Sequence, residues 1–251
     1  MSDTVDIWYV LPDAIRNPDL LEGYKGLLSA DETARYQRFW FDRDRHLHLV
    51  AWALVRTTLS RYAGISPEAW EFRINRYGRP EIAGPGDTPP LRFNLSHTRG
   101  LIACIVATEL DVGVDVEDRR RDTQGPEIAR RYFSDREVAA FEGLGAEQQE
   151  VAFFEYWTLK EAYIKAVGVG LSLGLGRFSF DLHHSGPPVG DPARRLPTIS
   201  FSDGLDDDPA AWQFAQWEPT PHHAMAAAIR RGTRADLQIN LREVVPGLDE
   251  A

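Results

Sequence analysis

Trp157-Thr158-Leu159-Lys160-Glu161-Ala162-Tyr163-Ile164-Lys165 is the stretch that decides the fold, because an earlier part of the chain echoes it. Trp157-x-Leu159-x-Glu161, followed by Gly170-Leu171-Ser172, repeats Trp52-x-Leu54-x-Arg56, followed by Gly64-Ile65-Ser66. The Trp-to-Ser interval is fifteen residues in the later copy and fourteen in the earlier one. The echo predicts an α+β fold of two pseudo-symmetric lobes, each a long helix packed on a small, mostly antiparallel sheet. A ligand site is then expected at the lobe interface, where such sites concentrate. The expected boundaries are 1–108 for the first lobe, 109–242 for the second, and a frayed tail over 243–251.

Working outward, Ser29-Ala30-Asp31-Glu32 carries the signature of a capped helix start, with Ser29 as N-cap and Glu32 three residues on. A longer helix is predicted from about Arg43 to Tyr62, with Leu49, Val50, Ala53, Leu54 and Leu59 at helical spacing and Gly64 as its stop. Strands are predicted over Ile7–Leu11, Glu71–Ile74, Pro80–Ile82, Arg92–Ser96, Leu101–Ala107 and Val112–Glu117. Helices return over Glu127–Tyr132, Asp135–Gly143 and Glu147–Val167. Strands follow over Phe178–Leu182, Thr198–Phe201, Trp212–Trp217 and Ala224–Ile229, with a proline-rich loop over Gly186–Pro197. Asp206-Asp207-Asp208 reads as a solvated turn.

The composition is that of a globular protein, with 43% hydrophobic and 26% charged residues. A formal net charge of -10 argues against a nucleic-acid binder, which would show a basic footprint. No stretch is long and apolar enough to span a bilayer, and the N-terminus lacks the pattern of a signal peptide, so the cytoplasm is the expected location. The single cysteine, Cys104, sits in an apolar run and is expected as a buried small hydrophobe.

Candidate chemistry lies in carboxylates. In Val112-Gly113-Val114-Asp115-Val116-Glu117 the valines alternate with Gly113, Asp115 and Glu117, so two acids share one strand face. On the later helix Trp157, Glu161 and Lys165 form one stripe at i, i+4 and i+8. Three carboxylates brought together need a cation, and oxygen ligands alone suit a hard ion such as magnesium with a phosphorylated substrate. No Cys/His set has zinc spacing, and the pairs His183-His184 and His222-His223 are expected on the surface. Phe93-Asn94-Leu95-Ser96-His97 forms a second polar cluster, with Phe93 and Leu95 toward the core and Asn94 and Ser96 away from it. Ser96 and His97 are adjacent on a strand and point to opposite faces, which excludes a nucleophile–base pair.

These three segments, in this order, resemble the signatures of the Sfp-type 4'-phosphopantetheinyl transferase family. Tyr77-Gly78-Arg79-Pro80 resembles that family's Gly-Lys/Arg-Pro turn, and Ser29 to Glu32 with Arg35, Arg38 and His46 resembles its N-terminal segment. The resemblance runs from the first strand to Ala228. It implies transfer of the phosphopantetheine arm of coenzyme A to a serine of an acyl or peptidyl carrier protein, with release of adenosine 3',5'-bisphosphate. It implies magnesium on Asp115, Glu117 and Glu161, with Glu161 as acceptor of the serine proton. It implies Lys165 and His97 on phosphate oxygens and in catalysis, Arg79, Asn94 and Ser96 toward the nucleotide end, and Arg35, Arg38 and His46 near the 3'-phosphate. Leu47 departs from members that carry a basic residue beside the histidine, with Arg45 or His48 as substitutes. Arg119-Arg120-Arg121, just after Glu117, is basic and is read either as a docking patch for an acidic carrier or as a solvated turn. A monomer suffices for such a site. The rival class is a magnesium-dependent hydrolase of coenzyme A or nucleotides, which needs no protein acceptor.

Overall fold

The computed structural model describes residues 3–86, 88–168, 170–182 and 196–248. In chain order its elements are β1 (Thr4–Val10), α1 (Pro18–Leu27), α2 (Ala30–Arg38), α3 (Asp42–Ser60), β2 (Glu71–Ile74), β3 (Pro80–Gly84), β4 (Leu91–Thr98), β5 (Leu101–Thr108), β6 (Val112–Asp118), α4 (Gly125–Tyr132), α5 (Asp135–Glu142), α6 (Ala146–Val167), β7 (Phe178–Asp181), β8 (Thr198–Phe201), β9 (Trp212–Thr220), β10 (His223–Arg230) and β11 (Gln238–Glu243). They form two compact units, Met1–Glu109 with Gln238–Ala251, and Leu110–Leu237.

The first unit is a four-stranded sheet in the order β11-β1-β5-β4 with a separate β2-β3 ribbon. Pairing is antiparallel except between β1 and β11, which run parallel. Helix α3 buries Leu49, Val50, Ala53, Leu54 and Leu59 in one core with Trp8, Phe93, Ile102, Cys104 and Val106 of the sheet. Those five positions spread over much of the circumference of α3, whose second half is buried on most sides, and such burial is what stabilises a helix of this length in water. Burial pushes the Cys104 thiol well up, as expected of a small hydrophobe inside a core. The expected capping box is present: the Ser29 side chain accepts from Glu32 N–H while Glu32 accepts from Ser29 N–H. Helix α3 ends at its C-cap Arg61, before Gly64.

The second unit repeats the plan: a three-stranded antiparallel sheet, β6-β10-β9, a β7-β8 ribbon, and a long helix, α6. Its core joins Phe153, Leu159, Ala162 and Tyr163 of α6 to Phe214 of β9 and Ala226 of β10. In each unit a first strand pairs with a later hairpin strand, and a capped short helix precedes the long one. The pseudo-symmetry read from the Trp-x-Leu echo is therefore a property of the fold. Its register differs by one residue. Arg56 is fully buried against Glu32 of the α2 capping box, and the residue fully buried against the matching Glu137 of the α5 box is Lys160, not Glu161.

Three expectations are corrected. The C-terminal boundary falls at 237/238, because β11 pairs with β1 of the first unit over Thr4↔Gln238 to Tyr9↔Glu243. Asp207 is not a solvated turn residue; it accepts from Tyr163 Oη at 2.9 Å, Trp212 Nε1 at 3.0 Å and Arg230 Nη2 at 3.0 Å. His223 is buried, its Nδ1 2.6 Å from Thr220 Oγ1. His183, His184 and nearly all of the proline-rich loop lie outside the described residues.

Candidate functional site

Strand β6 lies against α6 at backbone distance. A Cβ on Gly113 would fall 2.1 Å from the Ala162 carbonyl oxygen and 2.6 Å from the Ala166 nitrogen. The face that carries Gly113 also carries Asp115 and Glu117, so both acids are directed toward the helix. Lys165 Nζ donates to Asp115 Oδ1 at 2.7 Å and to the Val114 carbonyl at 3.2 Å. The Trp157 side chain is near enough to Glu117 to favour its charged form, and Arg121 Nη2 donates to Glu117 Oε1 at 3.2 Å. Thus Trp157, Glu161 and Lys165, one stripe of α6, all face the acidic side of β6.

The charges are out of balance. Burial first, then the neighbouring Asp115, push the Glu117 carboxyl up to about 7, against the pull of Arg121, Lys165 and Trp157. Burial and Asp115 also hold the Glu161 carboxyl above its ordinary value, with Lys165 opposing. Two carboxyls raised together by burial and a shared anion mark a site short of positive charge. Oxygen donors of this kind match a hard divalent cation. Among the described residues no three His, Cys, Asp or Glu side chains are drawn together closely enough to enclose a metal ion as they stand. The donors present are all carboxylate oxygens, the kind a hard cation takes, and Lys165 supplies part of the countercharge to Asp115.

The first unit holds its own pocket, with both polar and apolar lining. The β2–β3 connection is a tight turn: Gly78, at φ 84°, donates to the Asn75 carbonyl at 3.0 Å, and Asn75 Oδ1 accepts from the N–H groups of Tyr77 and Arg79. Arg79 braces the turn by donating from Nη2 to the Phe93 carbonyl of β4 at 3.1 Å. Beside it is a cavity of about 290 Å³ lined in part by Arg35, His48, Trp52, Pro80, Leu95 and His97. Burial holds His48 below the usual imidazole value; Arg35 and His97 push the same way, against the Glu32 carbonyl that its ring meets.

The expected nucleotide-binding residues are divided by this geometry. Arg35 and His97 line the cavity, and the Gly78–Pro80 turn borders it. Asn94 and Ser96 are buried on the opposite face of β4, away from the side bearing Leu95 and His97. Arg38 is exposed and does not line the cavity. His46 Nε2 meets the Pro12 carbonyl at 2.8 Å instead. Leu47 and His48 both line the cavity.

The basic segment after Glu117 is largely neutralised within the second unit. Arg119 pairs with Glu218 at 2.9 Å, Arg120 with Asp118 at 2.8 Å and Arg121 with Glu117 at 3.2 Å. Two contributors were not read from sequence as site residues: the Trp157 indole, although it stands on the Glu161 stripe, and Arg121 as a partner of Glu117. A second cavity, about 690 Å³, opens beside Trp157 and is lined in part by Ile128, Arg131, Tyr132 and Leu175.

Comparison with known proteins agrees over most of the chain. Residues 111–229 match the 4'-phosphopantetheinyl transferase superfamily, and residues 19–110 match the 4'-phosphopantetheinyl transferase N-terminal family. The chain is 34% identical to the 4'-phosphopantetheinyl transferase HetI of a Nostoc species, over 68% of this chain and 72% of the relative. It is 32% identical to the 4'-phosphopantetheinyl transferase Sfp of Bacillus subtilis, over 66% of this chain and 71% of the relative. It is 27% identical to the human L-aminoadipate-semialdehyde dehydrogenase-phosphopantetheinyl transferase, over 81% and 67% respectively.

Proposed function

Since the chain belongs to the 4'-phosphopantetheinyl transferase superfamily and is an enzyme that transfers the phosphopantetheine arm of coenzyme A, we propose which residues carry the reaction and on what acceptor. The acceptor is a serine hydroxyl of an apo acyl or peptidyl carrier protein. The serine oxygen–phosphorus bond forms as the bond from that phosphorus to the pyrophosphate bridging oxygen breaks, and adenosine 3',5'-bisphosphate leaves. Reaction of this kind depends on positioning and on neutralising charge at the bridging and non-bridging oxygens.

Asp115, Glu117 and Glu161 would hold magnesium, which when bound neutralises the pyrophosphate. Lys165, already drawn to Asp115 at 2.7 Å, is poised to pass its charge to a phosphate oxygen. Glu161, held above its ordinary carboxyl value by burial and Asp115, is the group suited to take the serine proton. In the first unit Arg35 supplies a positive charge to a cavity that Asp44 also lines, and the His48 and His97 rings offer polar contacts to a nucleotide phosphate. Arg79 holds the turn that borders the cavity, and Arg38, exposed on the helix that carries Arg35, is kept as a further contact for the 3'-phosphate. Asn94, Ser96 and His46 act as supports of β4 and α3 in this reading. The cavity beside Trp157, mostly apolar, has room for the pantetheine arm.

The observation that carries this reading is the convergence of Asp115, Glu117, Glu161 and Lys165 on one face of β6. In this reading the reaction takes place in the cytoplasm and one copy of the chain carries it out. No described helix is long and apolar enough to cross a membrane. The test is intact-mass spectrometry of a panel of apo carriers after incubation with coenzyme A and magnesium. A gain of one phosphopantetheine arm on the serine is expected, lost when magnesium is chelated. Cleavage of coenzyme A with no gain on any carrier assigns the site to a hydrolase instead.

A further inference from the structure

Each unit contains a buried cation that makes the same set of contacts. In the first, Arg56 of α3 bonds Glu32, the acid of the α2 capping box, and donates from Nη1 to the carbonyls of Pro67 at 3.0 Å and Trp70 at 2.9 Å. In the second, Lys160 of α6 pairs with Glu137, the acid of the α5 capping box, at 2.7 Å and donates to the carbonyls of Leu175 at 2.7 Å and Phe178 at 2.9 Å. In both, the two carbonyls belong to the first residue and the C-cap of a short 3-10 turn leading toward a ribbon strand, Pro67–Ala69 before β2 and Leu175–Arg177 before β7. Each cation also lies near an aromatic ring of that segment, Phe72 at 5.2 Å from Arg56 and Phe178 at 4.4 Å from Lys160.

An apolar side chain would fill such a place more simply, since replacing a buried ion pair by hydrophobic residues is often neutral or stabilising. What a multiply bonded cation adds is direction. On α6 the rotation per residue is about 100°. Taking Lys160 as zero, Ala162 and Ala166, which touch β6 at Gly113, stand at roughly 200° and 240°, while Glu161 and Lys165 stand at roughly 100° and 140°. The reactive groups lie between two anchors on opposite sides of the helix. On α3, Arg56 likewise anchors the helix that presents His48 and Trp52 to the cavity.

We propose that Lys160 and Arg56 are duplicated positioning residues: Lys160 with Glu137 sets the roll of α6 that aims Glu161 and Lys165, and Arg56 with Glu32 sets the roll of α3 that aims His48 and Trp52. The division of labour rests on the reading of the two sites given above. Neither cation touches the reacting atoms.

The test compares Lys160→Met, the paired variant Glu137→Gln with Lys160→Met, and Arg56→Met with Glu32→Gln. The paired variants leave no unpartnered buried charge and so keep the fold available if the single one does not. The Lys160 variants are expected to lose about 100-fold in kcat, the effect of a displacement near 1 Å, with KM for coenzyme A retained. The Arg56 pair is expected to raise KM for coenzyme A with kcat largely kept. The Trp157 indole N–H resonance, which reports the surroundings of Glu117 on the same stripe as Glu161, is expected to shift in the Lys160 variants and stay fixed in the Arg56 pair. Folded Lys160 variants with wild-type kcat and an unmoved Trp157 signal would overturn the proposal. So would equal losses in both units that follow only the folded fraction. A shifted Trp157 signal in an enzyme that modifies no carrier supports the positioning role and rejects the functional reading, which separates the two failures.

Discussion

Lys165 Nζ and Asp115 Oδ1 stand 2.7 Å apart, one on α6 and one on β6. The pair joins helix to strand at the point where Glu117 and Glu161 also gather. Asp115 is the anion that raises both of those carboxyls, and Lys165 is the cation that opposes it at both. Removing Lys165 thus changes the whole cluster, not one bond.

For Lys165→Met the expected result is a fall in turnover of about 100- to 1000-fold, the loss seen when one charge-stabilising donor is removed from a transfer site. Stability should fall by about 1–3 kcal/mol, since a buried carboxylate loses its charged donor. Lys165→Arg should recover part of both. Carrier modification by mass spectrometry and thermal unfolding measure the two effects. Turnover within threefold of wild type in Lys165→Met would remove Lys165 from the reaction.

Glu161→Gln separates function from fold in the opposite sense. The carboxyl is disfavoured in its charged form by burial and by Asp115, so a neutral amide of the same shape should cost no stability. Carrier modification should disappear while the unfolding temperature in metal-free buffer is equal to or above that of wild type. Near-normal turnover would exclude Glu161 as the proton acceptor.

His48 offers a test of the first unit that needs no turnover. Its imidazole is held low by burial, with Arg35 and His97 contributing. In this unit, protonation of His48 is harder in the folded than in the unfolded state. Its contribution to stability therefore falls as pH drops from the ordinary imidazole value toward the folded one, and is absent above that range. A bound phosphate would offset the neighbouring positive charges and raise the His48 value. Ring-proton NMR titration with and without adenosine 3',5'-bisphosphate should show that rise. If the nucleotide binds and the His48 titration does not move, the cavity is not its phosphate site.

Much of this arrangement was legible in the sequence because it rests on local periodicity. The stripe Trp157, Glu161, Lys165 and the alternation around Asp115 each need only one element to be read correctly. The Ser29–Glu32 box was legible for the same reason. What escaped depends on pairing at long range. The parallel bond of β11 to β1 joins residues more than two hundred positions apart, and nothing in Gln238–Glu243 announces its partner. Helix α1 had a local signal that went unread, Asn17 capping Asp19 and Leu20 with Pro18 at the first turn. The one-residue error in the echo arose because Trp and Leu positions match by type, whereas the true equivalence of Arg56 and Lys160 lies in shared burial, which spacing alone does not reveal. The division of Asn94 and Ser96 from His97 follows from strand alternation alone, and grouping all three at one nucleotide site sets that alternation aside.

Gly113 is where packing and chemistry meet most directly. The 2.1 Å and 2.6 Å approaches that a Cβ would make are to backbone atoms of α6, which no side-chain rotation relieves. In Gly113→Ala the helix and strand must therefore move apart, and Lys165 and Glu161 move away from Asp115 with them. The expected cost is about 1–3 kcal/mol from overpacking, with a loss of turnover larger than the unfolded fraction explains. Gly26→Ala is the matched control. It lies in α1, has nothing within 4 Å of the added carbon and no positive φ, and should be neutral or stabilising by up to about 1 kcal/mol. Unfolding curves and carrier modification, run on both variants at a temperature where each is folded, decide the matter. If Gly113→Ala matches Gly26→Ala in both measurements, the close contact of β6 with α6 does not set the geometry of the acidic cluster.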